Sequence, residues 1–187
     1  MKKMLLIAIM ALIAMAPVAN AAGTATFVKL DDKTKGNWEG VYGKEGYKLA
    51  VDFAEKLPKG VEIDITDSQA FVWADKTDDI RAPHKPGKKE ERIAACWYNN
   101  LSAIISVGEK PMQLAIFSLD WDCSNERAMQ VEIKDGDKVL DKQELSAYSN
   151  GKYLVYNVTG TVTVKLTCTA GGNACMSGFF LDPVAAK

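Results

Sequence analysis

The chain has 187 residues, 48% hydrophobic and 25% charged, with 23 Lys and Arg against 24 Asp and Glu. That near-neutral balance lacks the basic patch or stripe of a nucleic-acid binder, and losing a leader that carries Lys2 and Lys3 makes it more acidic. The length suffices for one domain with a sizeable core, and the four cysteines allow three pairings.

Residues 1–21 start with two lysines, continue through a short apolar run and end on Ala19-Asn20-Ala21. A positive start, an apolar centre and an A-x-A site mark an export signal, and the run is too short to span a bilayer comfortably. No cysteine follows the site directly, so no lipid anchor is expected. Residues 22–187 are read as a single exported domain, periplasmic or extracellular, with no membrane span.

Residues 36–47 set four glycines among Trp38, Tyr42 and Tyr47. Glycine lets the backbone take positive φ and approach neighbours closely, and Trp and Tyr offer flat apolar faces with a polar edge. The three rings suit either stacking on a sugar or closing one end of a sandwich. A cap is the reading preferred for Trp38, with Tyr42 the ring expected to be exposed. Residues 47–56 suit a turn or two of helix, ended by Leu57-Pro58-Lys59-Gly60. Val61, Ile63 and Ile65 then alternate with polar residues, as in a half-buried strand. Residues 77–92 are polar, with two prolines, and read as one long surface loop carrying Arg81, His84 and Arg92. As the single histidine, His84 supplies no multi-His metal site and no credible triad. Trp97 and Tyr98 are adjacent, so on a strand one faces the core and the other does not.

Residues 114–121 are apolar on nearly both faces, which predicts a central strand. Met129, Val131 and Ile133 alternate with polar residues, Asp135-Gly136-Asp137 reads as a hairpin, and Asn150-Gly151 opens a strand over 152–158. Gly160 is expected to separate that strand from the alternating run Val162, Val164, Leu166 and Cys168. Many short strands and weak helix signals predict an all-β fold, an antiparallel β-sandwich.

Cys168 and Cys175 flank Thr-Ala-Gly-Gly-Asn-Ala, a hairpin-like connection, so a disulfide between them is expected, with Cys96 joined to Cys123. No zinc spacing is present. Asp120 and Asp122 project to one face of a strand end. They suit an ion pair with Arg127 or Arg81, a structural calcium, or the carboxylate pair of a glycosidase. Arg81 or Arg92 could fork two hydrogen bonds to either acid and pin the loop. No Gly-rich phosphate loop and no G-x-S-x-G elbow occurs.

Taken in order, several segments carry a resemblance. They are residues 32–47, Asp79-Ile80-Arg81-Ala82, residues 92–98, Leu119-Asp120-Trp121-Asp122 with Arg127, residues 149–156, and residues 171–182. Together they resemble an uncharacterised β-sandwich module of secreted bacterial proteins, one that accompanies carbohydrate-active domains and looks like the galactose-binding-domain class of jelly rolls. The resemblance implies an extracellular binding role and carries no catalytic residues. Unlike such modules, this sequence shows no large neighbouring domain. The expectation is a secreted, non-catalytic, carbohydrate-binding module, with Trp38, Tyr42, Tyr47, Arg81 and Arg127 as candidate ligand contacts. Asp120 and Asp122 are candidates for calcium, and no other cofactor is expected. The partner would be a glycan or envelope component. The alternatives are a structural or interaction domain of the envelope with a co-secreted protein partner and, third, a glycoside hydrolase using Asp120 or Asp122.

Overall fold

The computed structural model describes residues 22–122 and 124–184; the expected export signal lies outside them. Among the described residues there is no α-helix, and no helix is long and apolar enough to cross a membrane. The chain forms two antiparallel sheets that face each other across a core, the sandwich that the alternating pattern predicts.

The large sheet is built on β8 (Ser102–Ser118) and β11 (Lys152–Ala170), which pair along nearly their whole length. Each is long enough to hold two partners on its outer edge. β4 (Glu62–Thr66) and β13 (Gly178–Pro183) pair with β8, and β1 (Thr24–Asp31) and β9 (Ala128–Asp135) pair with β11. β10 (Lys138–Ser146) extends the sheet through a hairpin whose Gly136 has φ 54°, as Asp135-Gly136-Asp137 predicts. β2 (Gly46–Leu49) and β3 (Glu55–Lys56) complete the other end.

Gly160 does not end a strand. It lies opposite Gly108, with φ values of 66° and 74°, and the register shifts there, so one continuous β11 bends together with β8. Residues 47–56 are also not helical beyond a 3₁₀ turn at Ala50–Asp52. Tyr47 pairs with both Lys56 and Phe180, and those ladder bonds outcompete a helix.

The small sheet runs β12 (Cys175–Met176), β7 (Lys88–Tyr98), β5 (Gln69–Thr77), with β6 (His84–Lys85) also on β7. The expected long loop over residues 77–92 is thus shorter, because β5, β6 and β7 take up its ends and part of its middle. His84 is buried, with its ring stacked on Trp38 at 5.4 Å.

Residues 114–117 alternate between two cores. Leu114 and Ile116 join Phe179, Leu181, Leu154 and Tyr156 in the core between the sheets, where Ala95 and Trp97 of β7 meet them. Ala115 and Phe117 turn to the opposite face with Tyr153, Val155 and Phe180. Residues 36–47 cover that second face by laying Trp38 and Tyr42 on it. Burial on both faces is why this segment reads as continuously apolar.

The expected Cys168–Cys175 disulfide is not formed in this structure, where both cysteines are free thiols. Cys168 lies on β11 opposite Met129 of the large sheet, whereas Cys175 lies opposite Tyr98 in the small one. Residues 171–174 cross between the sheets rather than closing a hairpin. The Cys168 thiol donates instead to the Ala170 carbonyl at 3.3 Å. Cys123, the expected partner of Cys96, lies outside the described residues.

Candidate functional site

Along β7, Ile93, Ala95 and Trp97 enter the core, so Arg92, Ala94, Cys96 and Tyr98 face the other side of the small sheet. Phe71 of β5 lies opposite Cys96 and shares that outer face. The register then slips by one residue between Val72 and Ala74, which makes Trp73 the extra residue of a bulge and sends its ring outward beside Phe71. The two rings meet edge to face at 6.0 Å.

These rings border a concavity of about 240 Å³. Its floor carries Cys96 and Cys175, and its walls carry Tyr98, Asn173, Asp122 and Arg127. Phe71 is half exposed, while Trp73 and Tyr98 are partly covered. The result is an apolar plank beside a set of charged and amide groups, open to solvent.

The polar wall comes from the connection between β8 and β9. Asp120 is fully buried there and accepts from the Asn125 amide at 3.0 Å, which turns the chain back. The Arg127 Nη1 then bonds both Asp120 and Asp122 at 2.5 Å. Burial disfavours the Arg127 charge, but bonds to Asp122 and Asp120 hold the guanidinium protonated well above its ordinary range. Burial likewise pushes the Asp122 carboxyl up, and the Arg127 bond and charge, with a bond from Trp73, hold it below the usual carboxylate range. Arg127 also lies 5.9 Å from the centre of the Trp73 ring. The Arg127 guanidinium thus lies between the two acids. Among the described residues, no group of three or more His, Cys, Asp or Glu could hold a metal.

Of the residues expected from sequence, Arg127 and Asp122 lie at this concavity, and Asp120 braces it from beneath. Trp38 and Tyr42 are only 2% and 3% exposed. Trp38 donates from Nε1 to the His84 carbonyl at 2.9 Å, and Phe180 lies 5.1 Å from its ring. The Tyr42 hydroxyl donates to Asp31 at 2.7 Å, and its ring lies 4.7 Å from Tyr153. The Trp38 cap is therefore found, but the expected exposure of Tyr42 is not, because Asp31 draws its polar edge inward. Tyr47 packs beside Trp38 at 5.0 Å. A wider hollow of about 500 Å³ runs along these three residues, but Trp38 and Tyr42 are buried against neighbouring rings.

Arg81 binds Asp79 at 2.9 Å and the Ser149 carbonyl at 3.1 Å, and it lies over Trp121 at 4.4 Å. Arg92 donates to the Ala82 carbonyl at 2.7 Å and to Asn37 at 2.5 Å. Both pin loops, but to carbonyls, an amide and Asp79 rather than to Asp120 or Asp122. Sequence reasoning missed Phe71, Trp73 and Asn173. The first two had a usable signal, two aromatics at i and i+2, which share one face of a strand.

No family model matches the chain, and no curated protein matches it. Among solved structures, it is similar to a family 35 carbohydrate-binding module from Clostridium thermocellum at 10% identity and a TM-score of 0.38, covering 64% of this chain and 89% of that one. It is also similar to TmCBM61, solved in complex with β-1,4-galactotriose, at 10% identity and a TM-score of 0.35, covering 66% of this chain and 88% of that one. At such scores neither likeness bears on ligand or site, and the sandwich rests on the strand pairing itself.

Proposed function

We propose that this chain is an exported, non-catalytic glycan-binding module whose site is the concavity on the outer face of the small sheet. A sugar ring has an apolar C–H face and a rim of hydroxyls that both donate and accept. The observation that carries the reading is a half-exposed Phe71 set beside a fixed Asp122–Arg127 pair and Asn173. The ring would take the apolar face, and Asp122 and the Asn173 amide would accept and donate. The acids are poorly set for hydrolysis. Asp122 is held ionised by Arg127 and Asp120 is sealed from solvent, so neither serves as the proton donor a glycosidase requires.

Calorimetry against a panel of polysaccharides tests this. Binding to at least one glycan is expected, with Phe71→Ala weakening it at least about tenfold, the loss of one good stacking contact. The melting temperature should move little, because half of the ring is already in water. A blank panel, or wild-type affinity in Phe71→Ala, would overturn the reading.

A second reading has its own observation. Among the described residues β5 pairs only with β7, so its other edge is open, with Phe71 and Val72 exposed along it. Such an edge suits strand addition by a protein partner of the envelope. A cross-linked partner contacting residues 69–77, with no glycan bound, would favour it.

A further inference from the structure

The floor of the concavity contains two thiols. Tyr98 and Cys175 are opposite one another across β7 and β12, and Cys96 is two residues from Tyr98 on the same face. In this structure both are free thiols, and they sit on adjacent paired strands and line the same concavity. Both side chains are about 1% exposed, yet both line the opening, which leads a small reagent to them. We propose that Cys96 and Cys175 form the disulfide of this domain, a covalent tie between β7 and β12 at the base of the concavity. The proposal stands apart from the glycan reading and replaces the pairing of Cys96 with Cys123.

The surroundings favour the chemistry. Interaction with the neighbouring Cys96 thiol draws the Cys175 thiol below its ordinary range; burial opposes this and the Arg127 charge adds to it. Interaction with Cys175 and burial push Cys96 up, so the step is written with Cys175 as the attacking thiolate. The oxidant is a disulfide, either glutathione disulfide or the active disulfide of a thiol oxidoreductase. The Cys175 thiolate attacks one sulfur, the oxidant's S–S bond breaks, and one thiolate leaves. Cys96 then loses its proton and attacks the Cys175 sulfur, expelling the second thiolate. The two departing thiolates take up the two protein protons. The protein loses two electrons and the oxidant becomes two thiols.

One structural consequence is specific. β12 has only two residues, and Asn173 lies just before it in the wall. The new bond would fix that wall to β7.

The test uses the full chain as a Cys168→Ser variant, which removes the neighbour that digestion cannot separate from Cys175. Serine keeps a donor for the Ala170 carbonyl. The folded protein is incubated with glutathione disulfide, alkylated without reductant and cut after glutamate. Cleavage at Glu109 and Glu126 separates Cys96, Cys123 and Cys175 into different peptides. The expected result is a linked pair of the Cys96 and Cys175 peptides in wild type and variant alike, lighter by two hydrogens than the separate thiols. A link from Cys96 to Cys123, or recovery of Cys96 and Cys175 both alkylated, would overturn the proposal. If Cys168→Ser fails to fold, fragmentation of the linked wild-type peptides gives the same decision, a bond at Cys168 overturning it.

Discussion

Arg127 is the residue on which the candidate site depends. One guanidinium nitrogen faces a sealed acid and an open one, and the site's shape follows from satisfying both. Removing it would leave Asp120 buried opposite no guanidinium. Breaking a buried ion pair by deleting one partner costs about 3–5 kcal/mol. Arg127→Met should therefore lower the unfolding free energy by about that amount in urea titration, even though its side-chain volume is similar. A change below about 1 kcal/mol would mean that the pair is not what holds the β8–β9 connection. The residues themselves were legible in sequence: the Asp120, Asp122 and Arg127 pairing was one of the readings their spacing allowed. Phe71 and Trp73 had a signal, two aromatics at i and i+2 that share one strand face, but which face turns outward was not legible, because the inward face is set by pairing with β7.

Elements were legible where one face is wet. β4, β9 and the second half of β11 show the period of two that the sequence displays, because polar residues alternate with buried ones along them. Reading failed where pairing is nonlocal. Gly160 looks like punctuation, and only its partner Gly108, far away in sequence, reveals a shared bend. The same limit hid the crossing of residues 171–174 between sheets, which made a hairpin of Cys168 and Cys175 appear natural. The bend is testable. At φ 66°, a β-branched side chain meets its own backbone, at a cost of about 1–3 kcal/mol. Gly160→Val should destabilise by at least that much in chemical denaturation. At Gly136, φ 54° lies in an exposed hairpin, and Gly136→Asn should stay within about 1 kcal/mol of wild type. Equal effects at the two sites would show that the central bend carries no special strain.

At the scale of the molecule, the segment over residues 36–47 acts as a lid on the second core rather than as a surface loop. Trp38 and Tyr42 supply its apolar weight. Two acids moor it: Asp182 accepts from the Gly43 and Lys44 amides at 2.9 Å each, and Asp31 accepts from the Tyr42 hydroxyl. Trp38→Ala should open a cavity under the lid and cost about 3–5 kcal/mol, read as a lower melting temperature and urea midpoint. A melt within a degree or two of wild type would remove the lid from the core. The mooring at Asp31 gives the lid an acid limit. Partial burial pushes that carboxyl up, but bonds from Thr34, Tyr42 and Lys33 outweigh it and bring the value down from 3.8 to about 2. A depressed carboxylate contributes its stability in full above the unfolded value near 4, and loses it as pH falls through about 2. The group is largely solvent-accessible, so its share is about 1 kcal/mol after screening. Melting temperatures measured from pH 5 down to pH 2 should fall in wild type, and Asp31→Asn should start lower and fall less steeply. Parallel curves for the two proteins would show that the acid sensitivity arises elsewhere and that Asp31 does not moor the lid.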